Sequence, residues 1–135
     1  MIAPLELDGA VYTREWPGSG THTFVCLHAV GGSHVHWLGV APKLAERGRV
    51  LAPDLAGFGL TPARQQGASL DAQVALVSAL LDRTGPGILV GSSLGGAIGL
   101  LQAAQSPESV TGLILTGSLL PPYRDGSPPE PDFSL

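Results

Sequence analysis

Apolar positions along the chain come in short runs separated by breaks rich in Gly, Pro and Ser. Thr23-Phe24-Val25-Cys26-Leu27 is an uninterrupted run, the pattern of a strand buried on both faces. Shorter runs at 49–53 and 88–90, and another at 110–116, repeat it. Between them the spacing changes to that of helices. Trp37 to Arg47 carries Trp37, Val40, Ala41, Leu44 and Ala45 on one face and stops at Gly48. Leu70 to Arg83 follows Ser69, a good N-cap, and presents Leu70, Val74, Val77, Leu80 and Leu81 as a stripe. A third helix is predicted from about Leu94 to Gln105, ended by Ser106-Pro107. Residues 5–16 read as two strands turning at Asp8-Gly9. Strand and helix alternate from residue 23 onward, and right-handed crossovers turn that alternation into an α/β fold with a mostly parallel sheet covered by helices on both faces. Residues 1–120 form this core. Residues 121–135, with prolines at 121, 122, 128, 129 and 131, read as a Pro-rich connector that contributes no strand and is expected to be the start of a cap or a truncated tail.

Composition narrows the partners. A 135-residue chain with 44% hydrophobic residues can bury a real core. The net charge of -4 and the scattered placement of seven basic residues speak against nucleic acid or an anionic membrane, since nothing clusters to neutralise phosphates. The single cysteine, Cys26, falls inside an apolar strand, where the expectation is an inert buried thiol, and no disulfide can form within one chain. The first residues lack a basic-then-apolar leader pattern and no stretch approaches eighteen apolar residues, so the expected location is the cytoplasm. No cofactor is implied, because neither Gly-x-Gly-x-x-Gly opening a helix nor a Lys-Ser/Thr phosphate loop is present.

The candidate chemistry sits at Gly91-Ser92-Ser93-Leu94-Gly95-Gly96. The strand run ends there and the small-residue helix begins, so Ser93 lies on a sharp bend that projects its hydroxyl above the sheet edge. Side chains at 91 and 95 would crowd the neighbouring strand or helix.

Three stretches together resemble the first half of the α/β-hydrolase fold family. They are Leu27-His28-Ala29-Val30-Gly31-Gly32 followed by Trp37, Pro53-Asp54-Leu55-Ala56-Gly57-Phe58-Gly59, and Gly91 to Gly96. Two positions depart from the family pattern: Ala29 replaces the usual Gly after His28, and Ala56 stands where Pro is common. The resemblance implies that Ser93 is a nucleophile, and Ser in place of Asp implies acyl transfer on an ester, thioester, lactone or amide. It further implies that the backbone N–H groups of Leu94 and Val30 form the oxyanion hole. The implied partner is a small acyl substrate.

The family order of Ser, then acid, then His is not completed here, since His22, His28, His34 and His36 all precede Ser93. His28 is expected to be a structural hydrogen-bonding residue beside the site, and Asp54 to brace the turn that follows it. His34 and His36 are expected at the surface or on a pocket wall, with no metal. Val30, Trp37, Phe58 and Leu94 are candidates for an apolar pocket, with ordinary core packing the alternative for Trp37 and Phe58. Asp125, Glu130 and Asp132 follow Ser93 but read as exposed linker charge, with Asp125 a minor candidate for the acid. Two functions stay open. One is the N-terminal part of a serine hydrolase whose cap, last strands, acid and His lie elsewhere. The other is a non-catalytic hydrolase-fold remnant that binds an acyl compound or pairs with another chain. Leu113-Ile114-Leu115 would form an apolar sheet edge, which predicts self-association.

Overall fold

The structure is a computed structural model that describes residues 1–65 and 67–118. Six strands form one sheet in the order β1-β2-β4-β3-β5-β6. They are β1 (Ile2–Glu6), β2 (Ala10–Trp16), β3 (His22–Leu27), β4 (Gly48–Pro53), β5 (Gly87–Ser92) and β6 (Val110–Thr116). β4, β3, β5 and β6 run parallel, while β1 and β2 form an antiparallel hairpin joined to β4. The hairpin turn falls at the predicted place, with Asp8 at φ 56° and Gly9 at φ 121°. Pro4 is accommodated because β1 is an edge strand.

The two-residue period of the central strands sorts side chains into two cores. Val25, Leu27, Leu51 and Leu89 face one way and pack beneath α2 (Leu70–Thr84) and α3 (Leu94–Gln105). Phe24, Cys26, Val50, Ala52 and Val90 face the other way and meet Trp37 and Ala41. The continuous apolar runs of β3, β4 and β5 are thus explained by burial on both faces, whereas no residue of β6 is fully buried. Ser69 caps α2 as expected, its hydroxyl accepting the Ala72 N–H at 3.2 Å. No helix among the described residues is long and apolar enough to cross a membrane.

Two helical expectations need correction. The segment Trp37 to Arg47 is not one helix. It is a 3-10 turn, His34–Trp37, followed by a four-residue α1, Ala41–Leu44. Pro42 lacks an N–H and is confined to the first turn of a helix, so α-helix cannot run through it from Trp37. In α2 the stripe is displaced: Leu70 is 38% exposed, whereas Gln73 is fully buried. β6 lies at the sheet edge, paired only to β5 among the described residues, and Ile114 is 45% exposed there. Residues 119–135, including the Pro-rich connector and Asp125, Glu130 and Asp132, lie outside the described residues.

Candidate active site

Strand order selects the site. The chain leaves β3 for β4 on one side, then returns across β3 to β5 and continues outward to β6. The connections after β3 and β5 therefore diverge, through α1 toward one face and α3 toward the other. In open α/β sheets the crevice left at the carboxyl ends of two such strands is where ligands bind. Here it is bordered by the loop after Leu27 and by Ser93.

Ser93 has φ 51° and ψ -110°, a strained conformation for a residue with a side chain. Neighbouring bonds hold it there. Its N–H donates to Thr116 O at 3.1 Å, and its carbonyl accepts from Gly96 and Ala97 N–H at 3.0 and 3.1 Å. The bend requires close approach of strand and helix: a Cβ on Gly91 would lie 2.5 Å from Gly95 O, and one on Gly95 would strike the Leu27 carbonyl. Ser93 is consequently exposed at the start of α3. Its hydroxyl makes no hydrogen bond among the described residues. The next residue, Leu94, is the first of α3, and its N–H belongs to the set of donors a helix start leaves unpaired. Its neighbourhood carries the positive end of the helix dipole.

Across the crevice, His28 is fully buried. Its Nδ1 donates to Ala29 O at 2.7 Å and its Nε2 accepts the Leu55 N–H at 2.9 Å, an arrangement that requires the neutral Nδ1–H form. Burial pushes its pKa below the ordinary imidazole value, with the Ala29 bond and the Asp54 charge opposing that shift. The Phe58 ring meets it edge-on at 5.5 Å. His28 is thus the structural residue expected of it. Asp54 is also fully buried and braces its surroundings as expected. Its carboxylate accepts from His34 N–H at 2.6 Å and from Leu60 N–H at 2.9 Å.

His34 departs from expectation. It is 7% exposed, and its Nδ1 lies 2.9 and 3.1 Å from the two Asp54 oxygens, so it belongs to the interior and not to the surface. A buried carboxylate needs donors, and the ring supplies one. His36 is exposed, with its ring against Gly32. Trp37 is not a pocket wall: it is 7% exposed within the core cluster around Phe24 and Val50. Val30 is 69% exposed on the loop after β3, and Leu94 is half-buried. A 260 Å³ cavity lined by residues 8–10 and 62–65 touches none of these groups.

Sequence reasoning missed Gln73. Its Oε1 accepts the Ala56 N–H at 3.0 Å and its Nε2 donates to Ala56 O at 2.9 Å. The signal was present in Ala56, because a residue other than Pro there carries an N–H that needs a partner once buried.

Comparison with known proteins bears on this geometry. The family model described as alpha/beta hydrolase fold matches residues 22–133. The dihydrolipoyllysine-residue acetyltransferase component of the acetoin cleaving system from Pseudomonas putida is 38% identical over 106 residues, covering 77% of this chain and 29% of that protein. The 2-hydroxy-6-oxo-2,4-heptadienoate hydrolase of a Pseudomonas putida strain is 32% identical over 125 residues, covering 87% of this chain and 45% of that protein. Among solved structures, the serine hydrolase CCSP0084 from Cycloclasticus zankles superposes with a TM-score of 0.80 at 26% identity, over 91% of this chain and 47% of that one. Structures described as an esterase, an epoxide hydrolase, an N-acyl homoserine lactonase and a thioesterase domain share the fold. The chain spans less than half the length of each of the three relatives compared in detail. With the family model matching most of the sequence, and with a six-stranded, mostly parallel sheet that bends sharply at Gly91–Gly95, the chain belongs to the alpha/beta hydrolase fold family.

Proposed function

We propose that this chain carries the nucleophile and the oxyanion-binding groups of a serine-type acyl hydrolase acting on an ester, thioester, lactone or amide. The observation that carries the reading is the strained, exposed Ser93 at the β5–α3 bend, backed by an unpaired N–H at the first residue of the helix. Strain of about 1–3 kcal/mol persists only where the surroundings enforce it, and it concentrates at functional sites. In this reading Ser93 Oγ attacks the acyl carbon and the carbonyl oxygen becomes an oxyanion held by Leu94 and Val30 N–H. The leaving alcohol, thiol or amine departs with a proton, and water then releases the acid. Removing one such donor typically costs a factor of about 10²–10³ in rate, so the loop and the helix start contribute to the rate alongside the hydroxyl.

The general base is not assigned to a histidine of this sequence. All four precede Ser93, and His28 and His34 are committed to Ala29, Leu55 and Asp54. The reading assigns neither the base nor its acid to a described residue, and Asp125 stays a minor candidate for the acid. A cytoplasmic setting fits the single buried Cys26. The test is capture of the serine in the protein as its own cells make it, using a fluorophosphonate probe. One label at Ser93, lost in Ser93→Ala, is the expected result. Labelling that survives in Ser93→Ala removes Ser93 from the mechanism.

The β6 edge supports a second reading, in which the chain is non-catalytic, binds an acyl compound, and pairs with another chain or with its own copies. Ile114 is 45% exposed on a strand with one neighbour among the described residues. Sedimentation would test it. A monomer with a cooperative melt and full probe reactivity discards this reading.

A further inference from the structure

The loop that presents Val30 has almost nothing of its own to hold it. Between His28 and His34 it contributes a methyl group at Ala29, an exposed valine, two glycines and Ser33, whose hydroxyl is used to accept the Val35 N–H. Gly31 adopts φ 74°, and the Gly32 N–H donates to Ala29 O at 2.9 Å, closing a turn around Val30. Beyond that turn and the His36 ring lying against Gly32, its orientation comes from its two ends. The first end is fixed by His28, bonded to Ala29 O and to Leu55 N–H. The second end is fixed by His34, whose backbone N–H and ring Nδ1 both reach the Asp54 carboxylate. Both ends are thus tied to consecutive residues, Asp54 and Leu55, immediately after β4. This is a two-point mount on the buried segment that leaves β4.

We infer that His34 is a positioning residue for the oxyanion hole: its imidazole, locked on Asp54, holds the far end of the 29–33 loop so that the Val30 N–H stays aimed at the carbonyl oxygen in front of Ser93. This rests on the reading of Val30 and Leu94 as the oxyanion donors. The ring matters beyond the backbone bond. It converges with the His34 N–H on Oδ1, and without it a buried carboxylate keeps only two of its three donors and the far end of the loop is tied to Asp54 by a single backbone bond. His34 touches neither substrate nor nucleophile in this assignment, and it acts through the loop.

The experiment measures fluorophosphonate capture of Ser93 in the whole protein, separating the first-order capture rate from the reversible affinity of the probe. A phosphonyl oxygen occupies the place of the oxyanion during capture, so a misaimed donor lowers the rate and leaves the affinity nearly unchanged. Loss of a fixed loop position is expected to slow capture in His34→Leu by about 10-fold or more, since a misplacement near 1 Å can cost about 10²-fold. In His34→Asn the side-chain amide can still donate to Asp54 from close to the Nδ1 position, and the rate should stay within about 3-fold of the parent. A change in stability alone would not produce this split between rate and affinity. If His34→Leu does not fold, His34→Gln, whose amide sits one methylene too far out, is held to the same 10-fold criterion. Capture in either variant at the parent rate overturns the role of His34 while leaving Ser93 as nucleophile. Capture that does not depend on Ser93 at all overturns the underlying reading, and the positioning role with it.

Discussion

Replacing Gly91 by Ala tests whether the bend is built on contact between strand and helix. Gly91 is held between β3 and β6, opposite Leu27 and Leu115, and cannot retreat. An added Cβ would lie 2.5 Å from Gly95 O and 2.6 Å from Gly95 C and Gly96 Cα. The closest usual C···O approach is about 3.3 Å, so the start of α3 must lift by about 0.8 Å. Ile98, fully buried, rides on that helix. A buried aliphatic side chain makes about 50 contacts of about 0.15 kcal/mol, and a gap of that size forfeits a quarter to a half of them, or roughly 2–4 kcal/mol. Such a loss overlaps the usual cost of overpacking. For a domain of this size, about 4 °C is lost per kcal/mol, predicting a fall of about 8–16 °C in the melting temperature. The control is Gly99→Ala in the same helix. There the new Cβ meets the flexible end of Leu113 at 3.0 Å and Leu89 Cβ at 3.7 Å. The helix gains about 1 kcal/mol from replacing Gly, so the net change should stay within about 1 kcal/mol. Both variants are read by thermal and urea unfolding, followed through the fluorescence of Trp16 and Trp37. A Gly91→Ala protein that melts within about 3 °C of the parent, or a Gly99→Ala protein damaged as badly, refutes the steric reasoning.

Other perturbations probe the groups around the crevice. Gln73→Leu keeps the volume but leaves the Ala56 N–H and C=O buried without partners, so urea unfolding should show a loss of about 2–4 kcal/mol. An unchanged midpoint would mean the pair is dispensable. Because burial holds His28 neutral in the native state while an unfolded imidazole binds a proton below about 6.5, the unfolded chain takes up more protons as pH falls. The His28 contribution is complete above that pH and is lost as pH drops toward the lower native value. Melting temperatures at pH 8 and pH 5.5 should differ less in His28→Gln than in the parent. Burial pushes the Cys26 thiol up to about 12. A thiol reagent at pH 8 should therefore label it only at the rate of global opening, and prompt stoichiometric labelling of the native protein would contradict the buried position.

The bend, the alternation of strand and helix, the N-cap at Ser69 and the hairpin at Asp8-Gly9 were all legible in the linear sequence. Each is set by neighbours within a few residues: an apolar run, a glycine that admits close approach, a hydroxyl beside an uncapped helix start. Pro42 was equally visible, yet periodicity outweighed it in the reading of 37–47, and the backbone obeyed the proline. His34 and Gln73 could not be placed from their own surroundings. Their partners, Asp54 and Ala56, are 20 and 17 residues distant, and both are brought close by the course of the loop after β4. Strand order was likewise undetermined, since parallel pairing links residues far apart without a local signature. It was the insertion of β3 between β4 and β5 that set the loop of Val30 beside Ser93. The sequence by itself determined the sharp bend at Ser93 and the elements around it, because short-range sterics and burial decide those. The tertiary structure alone decided which loop faces that bend and which buried side chains hold it, because both depend on hydrogen bonds and packing between segments that only folding brings together.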